Sequence, residues 1–549
     1  MKDPYSHKQK TVPIIFMKTN AHHPILVFLF FFCYLILGIS IHNDYGISWD
    51  EPAQRIIGAV NVKYIFPDIF PEKLSSVPDL HDIKDKDYGV IFEVPAFLLE
   101  SILDLQSPLD IFAFRHLITF LFSLSGSLAI FHIAKTRYDS HLWGLLCVSL
   151  LVFSPRFFAE SFFNCKDIVF MASFATAMAT MFMMIRHRNV QNVLMHSIMT
   201  AIAIDIRIMG ISLLFTTLGL LCMIMIKKEE EVPKTIQLGA FYIILTGILI
   251  IALFPFLWEH PIHNFIQVFE NMARFRWKGD LLYHGDVVLS TELPWHYLPS
   301  WIAITTPPLF LLFYLVGVFA SLRDVQSTSY RLWENEKGMI DVVCLILSAG
   351  VITLLIAIKP VLYDGWRHAY FIYPAFLIIV MRGIHYSWLS CQRFNQIRYL
   401  IPILLTLTFL YTGYWMKRAH PLQNVYFNMF ARTPWYDNYD LDYWGLGNRD
   451  VLQWIADHDK RKNISITPVS IVPLEYSLEL LQEDARSRFV IVPKETNPDY
   501  LFTNYRMVKN RRNDKYLPDY MLYYQKMIDN EVIISVFKKV GTQESSIHE

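Results

Sequence analysis

The chain is poor in charge and has no surplus of either sign. Over 549 residues, 49 Lys and Arg face 49 Asp and Glu, and charged residues make up only 18%. A neutral, sparsely charged chain offers no basic face to nucleic acid, so no nucleic-acid partner is expected. Cysteine is scarce too. All six (Cys33, Cys147, Cys165, Cys222, Cys344 and Cys391) lie in or beside apolar runs, and the polar C-terminal part has none, so no disulfide framework is encoded. No internal repeat or low-complexity tract is present. The first apolar run, residues 24–41, ends in His42-Asn43-Asp44 without a small-x-small cleavage site, and is read as an uncleaved helix.

Apolar side chains are abundant: 54% of residues are hydrophobic and 15% aromatic, with a mean hydropathy of +0.31. Several runs approach the ~20 apolar residues a membrane helix needs. About eleven spans follow, near residues 24–41, 111–134, 141–153, 168–185, 193–206, 208–226, 235–257, 300–322, 340–358, 369–381 and 399–416. The expected fold is therefore a mainly α-helical polytopic membrane protein. Lys and Arg occupy every second loop (Lys135/Arg137, Arg186/Arg188, Lys227/Lys228, Arg323/Arg331/Lys337, Arg382/Arg393/Arg398) and also precede the first span (Lys2, Lys8, Lys10, Lys18). The positive-inside rule makes that side cytoplasmic. The N-terminus is then cytoplasmic, and the long loops 42–110 and 258–299 face outward. So does everything after residue 416. Residues 1–416 read as one membrane domain. Residues 417–549 turn polar and read as a small soluble α/β domain, with a helix at 448–457 and strands at 464–469, 489–492 and 531–536.

Ionisable residues gather at the outer ends of the spans, where charge is cheaper than at the bilayer centre. Asp50 and Glu51 follow the first span. Arg115 and His116 open the second. Arg156, Glu160, Lys166 and Asp167 fill a short loop, 154–167. Asp205 and Arg207 mark the next outer turn, and Tyr363, Asp364, Arg367, His368 and Tyr370 a later one. Mixed acids and bases from several loops at one leaflet suit an anionic headgroup: Arg and Lys hold phosphate, while carboxylates do acid–base work. Each item also has a plainer reading. Asp50–Glu51 before Pro52 can be a helix start, and Lys166-Asp167 can cap the next span. Asp205 and Arg207 can neutralise each other within a hairpin. The run 364–368 can be an interfacial turn, and His296 in Pro294-Trp295-His296-Tyr297-Leu298-Pro299 can be a belt residue.

These motifs occur in an order that resembles the GT-C superfamily of integral membrane glycosyltransferases. The branch is family 39-like, related to protein O-mannosyltransferases and aminoarabinose transferases. The resemblance rests on Ser48-Trp49-Asp50-Glu51-Pro52, Ser154-Pro155-Arg156-Phe157-Phe158 and Asn164-Cys165-Lys166-Asp167. It continues through 293–299, Thr305-Thr306-Pro307-Pro308, Tyr363-Asp364-Gly365-Trp366-Arg367-His368, His420-Pro421 and Asp442-Tyr443-Trp444-Gly445. Cys165 departs from the pattern, where Pro or Ser is expected. The resemblance implies inverting transfer of a sugar from a polyprenyl-phosphate donor to a hydroxyl on a protein, lipid or glycan, at the non-cytoplasmic face of a bacterial inner membrane. It assigns Asp50 as base with Glu51 in support, and Lys166, Arg367 and His368 to the donor phosphate. Asp167, Tyr363, Tyr370 and His296 fall to the substrate. A divalent cation on Asp50–Glu51 stays open, without a dense ligand set around it. A lipid-linked glycan polymerase or ligase is an alternative reading. A secondary transporter is a more distant one, lacking midplane charge and repeated halves.

Overall fold

The computed structural model describes residues 23–227, 232–273, 276–327, 332–507 and 519–541. The basic residues before the first span, together with Lys228 and Arg331, lie outside the described residues. Among those described, eight helices are long and apolar enough to cross a bilayer: His23–Asp44, Pro108–Tyr138, Asp167–Arg186, Ile208–Lys227, Val232–Leu253, Pro308–Ser327, Glu336–Ile358 and Arg367–Cys391. Helices His141–Val152, Val190–Ile206 and Leu400–Ala419 occupy the three other expected places. The protein is an integral, multi-pass membrane protein.

Burial sorts the helices. Asp167–Arg186 and Arg367–Cys391 are almost wholly enclosed and form the hub of the bundle, whereas the first helix has most of its surface open to lipid. Between helices in a membrane, close backbone approach replaces the hydrophobic drive that water would supply. At the hub that approach is tight: a Cβ on Gly383 would lie 1.9 Å from the Phe313 carbonyl oxygen, and one on Gly317 would lie 2.0 Å from that of Ile379. Only glycine lets helices Pro308–Ser327 and Arg367–Cys391 touch.

Two segments differ from the sequence expectation. Residues 154–167 are not an open loop. They contain a buried helix, Pro155–Phe163, bent by 76° from His141–Val152. Pro155 stands at its first turn, and at nine residues the helix is too short to stand out as a span. The span expected at 300–322 is two helices, Tyr297–Thr305 and Pro308–Ser327, because Pro307 and Pro308 cannot continue the first.

The two long loops are themselves ordered. Residues 42–110 contain helices Glu51–Ile65 and Glu93–Ile102. They are tied to helix Pro108–Tyr138 by Arg115, which meets Glu93 at 3.0 Å and Glu100 at 3.4 Å. Residues 258–299 contain helix Pro261–Ala273 and a hairpin of strands Asp280–Tyr283 and Asp286–Leu289. Beyond the last helix, five strands make one sheet in the order Phe489–Ile491, Ile464–Pro468, Tyr500–Thr503, Glu531–Lys539, Tyr520–Ile528. The first three run parallel, and the other two add antiparallel. This sheet region docks directly on the outer loops: the Trp49 N–H donates to the Trp444 carbonyl at 3.2 Å, and Arg449 donates to that of Asn43 at 2.8 Å.

Candidate active site

The segment Ser48-Trp49-Asp50-Glu51 starts a helix, and the start separates its two acids. Glu51 turns back to accept from the Ser48 N–H at 2.7 Å, half of a Ser-x-x-Glu capping box. Its other oxygen lies 3.0 Å from His116 Nε2, and the side chain is buried. Asp50 accepts no capping bond. It points the other way, taking a hydrogen bond from Arg367 Nη1 at 2.8 Å. The pair therefore does not converge on a shared ion, and Glu51 is a helix-capping residue facing away from Arg367. Among the described residues no three His, Cys, Asp or Glu side chains group as metal ligands would.

Arg367 is the centre of the site. Its Nη1 also donates to Asp167 at 3.1 Å, and its Nη2 to Asp364 at 3.4 Å. The guanidinium is 4.9 Å from the Tyr363 ring centre and 4.7 Å from that of Trp444. Two of its acids are shared with a second arginine. Asp167 also accepts from Arg207, and Asp364 accepts from Arg506 at 3.0 and 3.2 Å. Three carboxylates thus meet three arginines, drawn from segments scattered along the chain. Buried charges persist only when so paired. Asn164 sets the turn that presents Asp167, its Oδ1 accepting from the N–H groups of Asp167 at 2.8 Å and Lys166 at 3.3 Å.

Lys166 stands apart from this balance. It is buried, its Nζ lies 3.4 Å from the centre of the Tyr88 ring, and no carboxylate is within ion-pair distance among the described residues. Burial, with Arg207 beside it, pushes its pKa down to about 7. Burial opposes ionisation of Asp50 as well, but Arg367 and Lys166 outweigh it and hold Asp50 below its ordinary value. For Asp364 burial wins, and its pKa is raised in spite of Arg506 and Arg367.

A cavity of about 660 Å³ opens beside this cluster. Its charged lining is Lys166, Arg207, Arg367, Lys278 and Lys359 with Asp87 and Asp205, joined by His368, Tyr88 and Tyr363. The rest is apolar, with Ile208, Met209, Phe254, Val268, Met272, Leu355 and Ile358 among its walls. Of the residues expected at a site, Lys166, Tyr363, Arg367 and His368 line the cavity, while Asp50 and Asp167 stand behind Arg367, accepting from its Nη1. Tyr370 does not line the cavity; it is buried behind it, its hydroxyl donating to Glu160 at 2.8 Å. His296 is also away from it, bonded to the Tyr283 hydroxyl at 2.7 Å. Asp205 and Arg207 do not pair with each other. Asp205 accepts from the Ile91 N–H at 2.8 Å, which frees Arg207 for Asp167. Arg207, Arg506, Lys278, Lys359 and Tyr88 are additions to the sequence-derived set. Only Arg207 carried a signal there, as a charge at the end of an apolar run.

No family model and no curated protein matches the chain. Solved structures do. ArnT from Cupriavidus metallidurans in the apo state is similar over 93% of this chain and 98% of that one, at 11% identity and a TM-score of 0.51. The same protein bound to undecaprenyl phosphate is similar over 94% and 98%, at 12% identity and a TM-score of 0.47. The Archaeoglobus fulgidus oligosaccharyltransferase is similar over 86% of this chain and 69% of that one, at 10% identity and a TM-score of 0.46. ArnT and the oligosaccharyltransferase are both GT-C glycosyltransferases. The chain has the GT-C fold, as its ordered motifs led one to expect; the apo ArnT likeness carries that conclusion.

Removing one partner from a buried ion cluster strands the others, at about 3–5 kcal/mol. Arg367→Ala leaves three carboxylates short of a cation and should sharply lower the melting temperature in detergent. Asp50→Asn, at a side chain 23% exposed, should lower it far less. Equal melting temperatures for the two variants would contradict the central place given to Arg367.

Proposed function

We propose that the protein is an inverting glycosyltransferase. It moves a sugar from a polyprenyl-phosphate-linked donor to a hydroxyl acceptor on the non-cytoplasmic face of the membrane. One observation carries this reading: a single cavity is lined both by apolar side chains and by Lys166, Arg207 and Arg367, and Arg367 holds the partly exposed carboxylate of Asp50. An isoprenoid chain suits the wall, and a phosphate suits Lys166, Arg207 and His368. Asp50, held ionised by Arg367, is the base.

In the reaction, the acceptor oxygen attacks the anomeric carbon from the face opposite the phosphate. Its proton passes to Asp50 as the new C–O bond forms. The bond from the anomeric carbon to the phosphate oxygen breaks, and the phosphate keeps the electron pair. Lys166 and Arg207 stabilise the charge that appears on it, an electrostatic contribution that grows in a water-poor site. The Nη groups of Arg367 are engaged by three acids and orient Asp50 and Asp167, while its buried Nε has no partner among the described residues. The acid Asp50 accepts from Arg367 is a weaker base for being so held, but it is ready in the ionised form at every working pH.

The test is release of sugar from radiolabelled polyprenyl-phosphate donors by the purified protein. General-base assistance is worth roughly 10²–10⁴ in rate. Asp50→Asn should therefore lose at least about a hundredfold in transfer, within that range, while still binding the lipid. Retention of a tenth of the activity would remove Asp50 as base.

The pH profile follows from the two perturbed groups. Asp50 stays charged down to its lowered pKa, so kcat/KM should hold until below about pH 4, the ordinary aspartate range. Lys166 is cationic only below about 7. Donor capture should therefore fall as pH rises through neutrality, and Lys166→Arg, charged throughout, should abolish that alkaline limb. A profile flat to pH 9 in the unmodified protein would exclude Lys166 from the phosphate.

The outward orientation is checked by labelling. A cysteine in place of the exposed Asp457 should react with an impermeant maleimide added outside the cell. Protection would reverse the assignment of sides.

A further inference from the structure

Between the last membrane helix, Leu400–Ala419, and the sheet region, the chain from Leu422 to Asn428 is buried at every residue. Met429 and Phe430 then break out together, 82% and 58% exposed, and Ala431 is buried again. Met429 is the most exposed large apolar side chain among the described residues. Asn428 holds this tip in place. Its N–H donates to the Ile304 carbonyl at 2.8 Å, and its Nδ2 to those of Ala303 at 2.7 Å and Thr306 at 2.6 Å. Its Oδ1 accepts from the Phe430 N–H at 2.8 Å, and its carbonyl from the Ala431 N–H at 3.1 Å. One buried asparagine thus closes the turn and fastens it to the end of helix Tyr297–Thr305.

Those contacts fix the height of the tip. Thr306 stands two residues before Pro308, where the span Pro308–Ser327 begins. Tyr426 packs on Trp415, ring centres 4.8 Å apart, one turn before the end of helix Leu400–Ala419. On that helix the exposed Tyr411 and Tyr414 precede Trp415, and the exposed Lys417 and Arg418 follow it. Aromatic and then basic side chains mark a span leaving the hydrocarbon. Both helices place residues 426–428 at the edge of the bilayer. Met429 and Phe430 lie within about 7 Å of Asn428 along the chain, two residues at full extension.

A fixed turn cannot fold this pair away from water, and exposed apolar groups gain by leaving it. Adjacent exposed apolar side chains mark a contact site, and at this height the neighbour is lipid. We propose that Met429 and Phe430 form a wedge that enters the leaflet at the site's end of the spans and touches its acyl chains. The exposed Arg432 follows the pair, where a basic side chain reaches anionic headgroups. Its Nη1 also donates to the His284 carbonyl at 3.1 Å, so the wedge ties the hairpin of the second long loop to the membrane surface. This contact is independent of the transferase reading.

Spin labels read the neighbour directly. Met429→Cys and Phe430→Cys are each labelled in the full chain with its six native cysteines replaced by serine, in vesicles of phosphatidylcholine and phosphatidylglycerol. Oxygen, which concentrates among acyl chains, should relax both labels more than a water-soluble nickel chelate does. Asp457→Cys, exposed on helix Asn448–His458, should show the reverse order. Nickel preference at both 429 and 430 would put the tip in water and overturn the wedge. Shielding from both reagents would mean that protein covers the tip, a second copy if the labels broaden one another, and would overturn it equally. The unmodified chain supplies a second measurement that needs no cysteine replacement. A phospholipid with a diazirine in its acyl chain should label the peptide holding Met429 and Phe430. Adducts on the spans but none on that peptide would also overturn the proposal.

Discussion

Everything at the outer end of the bundle is arranged around one buried guanidinium. Arg367 holds three carboxylates, and each carboxylate belongs to a different structural unit: the first outer loop, the start of the helix at 167 and the turn that precedes Arg367 itself. An arginine suits this task where a lysine would not, because its planar fork presents several fixed donors and lies flat between the rings of Tyr363 and Trp444. The cost of desolvating so many charges is offset only if all are matched. That requirement fixes the relative positions of elements far apart in sequence.

The membrane architecture was legible because the bilayer imposes a length. A run of apolar residues has few alternatives in lipid, and ten of the eleven expected runs correspond to one helix each, the run at 300–322 being split in two. Strands Ile464–Pro468, Phe489–Ile491 and Glu531–Lys539 could also be read, as short β-branched or aromatic runs between polar turns. Tyr500–Thr503 and Tyr520–Ile528 were not expected. One is only four residues long, and the other carries Gln525 and Lys526, so neither stands out from its surroundings. The helix Pro155–Phe163 was hidden for another reason: it is only nine residues long, and its Arg156 and Glu160 read as loop charges although they lie four apart on one face.

Pairing was less legible than placement. The sequence marks which acids and bases end up on one side of the membrane, but not which meet. Asp50 and Arg367 are 317 residues apart. Asp205 and Arg207 are two apart yet look in different directions, because the backbone near Gly89 passes so close to residue 205 that a Cβ there would sit 1.7 Å from its carbonyl oxygen. Local proximity suggested a neutral hairpin, and the fold instead assigns one of the two to a loop and the other to the site. Glu51 shows the same effect at single-residue resolution. Adjacent carboxylates were read as a unit, although the helix start sends Glu51 to the Ser48 N–H and His116 and Asp50 to Arg367.

Arg506 has a temporal consequence. It is contributed by the sheet region and is the last of the cluster's six charged groups to leave the ribosome, well after the final membrane helix. Until the sheet docks and Arg506 reaches Asp364, the site has three acids and only two arginines. A membrane portion without the sheet region leaves the buried Asp364 carboxyl with Arg367 as its one arginine among the described residues, so this corner of the cluster is completed last.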